Sequence, residues 1–154
     1  VLGAILRKKS ATDYDTEFKP LASAQGTPSS NPNVVGAVTK MFGIGGNITP
    51  TFSGKVLAMI VTGGIKGAAS FASQAQMRYG SGAIPFNGSP AAGTAIGTTM
   101  ITQNDGSLLG ATFCAVITGL TIGTRYWFDL GGNSTDASST TTVYLPAATL
   151  VEIP

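Results

Sequence analysis

The thirteen residues from Thr118 to Leu130, Thr-Gly-Leu-Thr-Ile-Gly-Thr-Arg-Tyr-Trp-Phe-Asp-Leu, constrain this chain more than any other stretch. Glycines set a tight turn, and the strand behind it alternates in character. Successive strand side chains point to opposite faces. The pattern therefore predicts Tyr126, Phe128 and Leu130 in a core, with Arg125, Trp127 and Asp129 facing outward. An outward Trp beside an Arg is typical of an interface anchor. The same placement suits a sugar-stacking platform, or packing under a loop of the same domain.

Similar strand-and-turn text fills the chain from Val34 onward. Strands are expected over Val34 to Ile44, Asn47 to Phe52 and Val56 to Val61. The last is apolar on both faces, as in a central strand covered on both sides. Residues 65–79 are ambiguous, since Gly67 to Met77 is Ala-rich enough for a helix. Yet Phe71, Ser73, Ala75, Met77 and Tyr79 alternate with Ala72, Gln74, Gln76 and Arg78, which predicts a strand. A long loop follows from Gly80 to Gly93. Asn104-Asp-Gly-Ser107 then predicts a hairpin joining Ala95–Ile101 to Leu108–Thr118, and Gly131 to Asp136 predicts a second. Ser138 to Leu145 and Thr149 to Ile153 complete eight or nine strands. The expected fold is all-β, an antiparallel β-sandwich or jelly roll in residues 34–154. Residues 1–20 read as an extended N-terminal arm, and residues 21–33, rich in Gly, Pro, Ser and Asn, as a linker.

Charge is scarce: 10% of residues, against about a quarter in an ordinary globular chain. Seven of the charged residues fall between Arg7 and Lys19, leaving nine for the rest. A domain so thinly charged is poorly protected against association, so part of its surface is expected to be covered by other chains. In the arm, Leu2 and Ile5 belong to an apolar strand too short to bury itself. Arg7, Lys8 and Lys9 follow it and are candidates for setting inter-chain register. The net charge of +2 comes from isolated Lys and Arg residues with no basic stripe, which argues against nucleic acid. No apolar run reaches the length of a membrane helix. The first residue is Val1 rather than methionine, which suggests processing or a chain that begins within a longer product.

Catalytic chemistry finds little to use. The chain has no histidine, which removes the usual general base and the commonest metal ligand. Its single cysteine, Cys114, builds neither a disulfide nor a zinc site and reads as a buried thiol. Asp105 and Asp136 read as turn residues, Asp129 as an outward strand residue, and Glu152 lies near the C-terminus. Gly43-Ile-Gly-Gly46 and Gly80-Ser-Gly82 lack the helix N-terminus that a phosphate loop needs. No enzyme, metal or cofactor is expected.

Two resemblances arise at these residues. Gly119-Leu-Thr-Ile-Gly-Thr-Arg-Tyr126 resembles the tyrosine corner of fibronectin type III modules, with Ile122 in place of their proline. Val1-Leu-Gly-Ala-Ile-Leu-Arg-Lys-Lys-Ser-Ala-Thr-Asp-Tyr-Asp-Thr-Glu-Phe18 looks like the segment that tailed-bacteriophage fibre and head-appendage proteins carry ahead of their terminal domain. Gly54-Lys-Val-Leu, Met77-Arg-Tyr-Gly-Ser-Gly and Thr118 to Leu130 are similar to the β domains of the same proteins. That resemblance implies a non-enzymatic, homotrimeric structural protein at the virion surface, a capsid decoration or a head or tail fibre. Its partners would be itself and other virion proteins. The competing expectation is a carbohydrate-binding or adhesion module for a host-surface glycan, with Trp127 or Tyr79 stacking on sugar and Arg78 beside it.

Overall fold

The computed structural model describes residues 4–8, 16–28, 30–103 and 107–154. Strands β1 (Ala4–Lys8) and β2 (Thr16–Pro20) pair with each other as an antiparallel hairpin. The N-terminal contacts expected from the sequence, at Leu2, Ile5, Arg7, Lys8 and Lys9, lie outside the residues whose side chains are described.

The body is an all-β sandwich of two antiparallel sheets. Strand β7 (Val56–Lys66) is the spine of a six-stranded sheet, with β10 (Leu109–Ile117) along one side. On its other side β13 (Ala147–Glu152) and β3 (Ser23–Gly26) flank the first half. Strands β12 (Thr140–Tyr144) and β4 (Asn33–Val35) flank the second. The five-stranded sheet runs β9 (Thr94–Gln103), β8 (Ala72–Ser81), β11 (Tyr126–Ser134). The short strands β6 (Gly46–Ile48) and β5 (Lys40–Met41) lie in tandem on the far side of β11. From β9 to β12 the chain crosses between the sheets at every step, giving the crossed connections of a jelly roll.

Period-two alternation builds the core. Val56, Ala58 and Ile60 of β7, with Ala148 and Leu150 of β13, face Met77 of β8 and Phe128 and Leu130 of β11. Tyr79 and Phe128 sit directly opposite in register with rings 5.8 Å apart. The Ala-rich segment is a strand, as its alternation predicts: Ser73, Ala75 and Met77 are buried between half-exposed neighbours. Tertiary pairing overrides the alanine preference for helix.

Several sequence expectations change. The sheets hold eleven strands among the described residues rather than eight or nine, because Val34 to Ile44 divides into two short strands and residues 21–33 contribute β3. That segment is thus no free linker, since β3 closes one edge of the six-stranded sheet. The Asp-Gly turn does not join a hairpin: β9 pairs with β8, and β10 pairs with β7 in the opposite sheet. The turn residues 104–106 lie outside the described residues. Likewise β11 and β12 belong to different sheets. A local turn signal reports reversal of the chain, but not which sheet receives the next strand.

Candidate functional site

The two outer faces of the sandwich differ, and the difference locates the candidate surface. On the five-stranded sheet, the chain covers its own outer face at the end that holds Trp127, while Thr99 and Ile101 of β9 stay exposed. Trp127 is only 3% exposed and Asp129 is fully buried, so the expected outward placement of both is corrected. The Trp127 ring lies across Gly80 and Gly93, where a Cβ would come within 2.6 Å and 2.5 Å of ring carbons. Gly93 also holds a φ of +64° and approaches the Tyr79 carbonyl oxygen, a conformation and contact that only glycine accepts without strain. The indole N–H donates to the Ser81 carbonyl at 3.3 Å. Of the three alternatives for Trp127, packing beneath a loop of its own chain is the one observed.

Arg78 holds that loop down. Its guanidinium donates to the carbonyls of Ala92 (2.7 Å) and Gly93 (2.9 Å). Asp129 sits opposite Arg78 in the β11–β8 register but uses different partners. It accepts from the backbone N–H groups of Gly43 (2.8 Å), Ile44 (2.9 Å) and Leu130 (2.8 Å). Burial pushes its carboxyl up to about 6, against the pull of those three amides. A folded-state value above the ordinary 3.8 means the native state holds the proton more tightly than the unfolded chain does. Stability contributed by Asp129 should therefore be full below about pH 4 and fall as pH rises toward 6. A carboxyl-detected NMR titration is expected to place Asp129 near 6; a midpoint near 4 would refute this assignment. Arg125 is exposed and donates to Asn47 Oδ1 at 3.0 Å. It does not accompany Trp127 at a common surface.

The other carboxylates also serve the fold. Glu152 is buried and its two oxygens collect N–H groups from Ala22, Thr51, Phe52 and Ser53. Burial raises its carboxyl, but these amides outweigh burial and hold it at about 2. Asp136 accepts from the Ser138 N–H and the Ser138 and Ser139 hydroxyls, the turn role expected of it. The tyrosine-corner likeness has a counterpart too: the Thr121 N–H donates to Tyr126 Oη at 3.1 Å. Tyr79, proposed for sugar stacking, is half-buried against Phe128. Among the described residues, no group of His, Cys, Asp and Glu is arranged to hold a metal ion.

Among the described residues, no second layer covers the outer face of the six-stranded sheet. Leu57, Met59 and Val61 of β7 point away from the core, the reverse of the expectation that this strand is covered on both sides. Register places Val116, Cys114 and Thr112 of β10 beside them, and Val151, Thr149 and Ala147 of β13 on the other flank. Ser23 and Gln25 of β3 extend the rows. None of these side chains is charged. Val61 is 40% exposed and Val116 is 54% exposed. Leu108 and Leu145 rise over Gly64 and Gly63 at the far end of β7. Cys114 is an exposed thiol, not the buried one expected from the sequence. Beside it, the unpaired edges of β9 and β10 part around a cleft of about 420 Å³ lined by Met77, Ile96, Met100 and Phe113. Sequence reasoning missed this face, although its signal was the doubly apolar Val56–Val61 run.

These features define a β-sandwich protein whose five-stranded sheet is partly covered by its own loop and whose six-stranded sheet carries an outward apolar patch. No family model matches the chain, and no curated protein matches it. Among solved structures it is similar to the Eiger TNF of S. frugiperda, at 11% identity and a TM-score of 0.46, over 88% of this chain and 94% of that one.

Proposed function

We propose that this chain is a non-enzymatic structural protein of a bacteriophage virion, a homotrimeric capsid-decoration or fibre protein. Its N-terminal segment anchors it to other virion proteins, and its β-sandwich assembles at the particle surface. The observation that carries the self-association is the apolar patch of Leu57, Met59, Val61, Val116 and Val151 on the outer face of the six-stranded sheet. Contiguous apolar patches on soluble proteins mark interaction sites, and this one lies on a chain with few charges to keep copies apart. The phage assignment rests on the sequence resemblance at Val1 to Phe18 and in the β domain. The carboxylates suit this reading, since Asp129 and Glu152 are enclosed by backbone amides rather than presented to a substrate. The glycan-binding alternative loses its platforms, because Trp127 is covered and Tyr79 is stacked inside.

Size-exclusion chromatography with light scattering is the first test. A trimer of the 15.5 kDa chain is expected at micromolar concentration. A strict monomer would sink the homotrimeric reading. Co-sedimentation with capsid or tail particles tests the location, and failure to bind either would remove the virion role.

A further inference from the structure

We infer that the outer face of the six-stranded sheet, centred on Met59 and bounded by Val61, Val116 and Val151, is the surface on which a second copy of this chain packs. The inference rests on the self-association proposed above and adds its location. β7 is apolar at both sets of alternating positions, the pattern of a strand buried on both faces. Its inner set, Val56, Ala58 and Ile60, is buried by the chain's own second sheet. Its outer set, Leu57, Met59 and Val61, has no second sheet over it among the described residues; Leu57 and Met59 are half-buried by their neighbours and Val61 is exposed. The residues beside it on β10, β13 and β3 are uncharged, and charge enters at the far end of β7, where Lys66 is exposed. A second copy offers an apolar surface of matching chemistry.

The dimensions set how much of the contact the face supplies. Eleven residues of β7 at about 3.3 Å each, across three to four strands about 4.8 Å apart, give roughly 600 Å² per copy. A standard interface buries about 800 Å² on each side. Around a three-fold axis each copy divides its face between two neighbours, roughly 300 Å² to each, so contacts along the β10 and β3 edges complete each interface. Three such faces can close around a common axis, the β10 flank of one copy meeting the β13 flank of the next, as a ring of heterologous contacts requires. The outer face of the five-stranded sheet would then look outward.

Val61→Glu and Val116→Glu place a charge at positions already exposed in a single copy, so each variant is expected to fold. Each should convert the trimer to a 15.5 kDa monomer and weaken association by at least about 100-fold. Gln76→Glu, on the outer face of the other sheet, should leave the trimer intact. Cys114 gives a readout on the unaltered protein. Its alkylation by N-ethylmaleimide should be at least about tenfold slower in the trimer than after dilution to monomer. Variants that stay trimeric, with Cys114 equally reactive at all concentrations, would place the contacts elsewhere and leave the proposed function standing. An unaltered chain that is monomeric throughout would overturn both. A face that stays open between copies and is instead protected only by a capsid or tail protein would also overturn the inference.

Discussion

Replacing Glu152 with alanine is expected to destabilise the fold by about 3–5 kcal/mol, since buried donors left without an acceptor cost about 1–3 kcal/mol each and some will find water. The carboxylate gathers amides from Thr51, Phe52 and Ser53 on one loop and from Ala22 ahead of β3. It thereby ties the last strand to both. A domain is stable by only about 5–15 kcal/mol, so the variant should melt roughly 10 °C or more below the parent. The pH dependence runs opposite to that of Asp129. Glu152 has a folded value of about 2 against an ordinary 4.5, so its contribution is complete above about pH 4.5. It is lost as pH falls toward 2. Urea titrations at pH 7 and pH 2.5 should show a large gap between parent and Glu152→Ala at the first and a small one at the second. Equal gaps would show that the charge on Glu152 is not what the amides stabilise. With the two carboxylates opposed, the parent should be most stable near pH 4–5.

Trp127→Ala is expected to cost about 3–5 kcal/mol, the range for removing a buried large aromatic, without changing the mass of the assembly while the protein stays folded. The ring fills the space between Gly80 and Gly93 and underlies the loop that Arg78 clamps. Trp127 is the single tryptophan of the chain, so its fluorescence reports the site directly. Emission should be blue-shifted in the native protein and poorly quenched by iodide, at every protein concentration. If the variant instead kept its melting temperature and fell apart into monomers, Trp127 would be an interface anchor after all.

Much of the architecture is legible in the alternation of single strands. Phe128 and Leu130 are core residues as expected, and the Ala-rich β8 declares itself by Ser73, Ala75 and Met77. The carboxylates were harder. Asp129 and Glu152 look like ordinary strand residues because, the neighbouring Leu130 aside, the amides that enclose them come from residues about 85 or more positions away. Nothing in their immediate sequence announces those partners. Trp127 was misplaced for a related reason. Alternation assigns a residue to a face, but the loop that covers that face arrives from elsewhere in the chain.

From sequence alone come the β class, the absence of histidine-based chemistry, the shortage of surface charge and the doubly apolar Val56–Val61 run. These follow from composition and period-two geometry, which are local properties. The tertiary structure decided which face is which. It sent β9 and β10 to opposite sheets, closed the loop over Trp127, and left the outer side of β7 with no second layer among the described residues. Each of these outcomes depends on contacts between distant segments, because a strand's alternation is the same whether its second face meets a loop, a neighbouring copy or water.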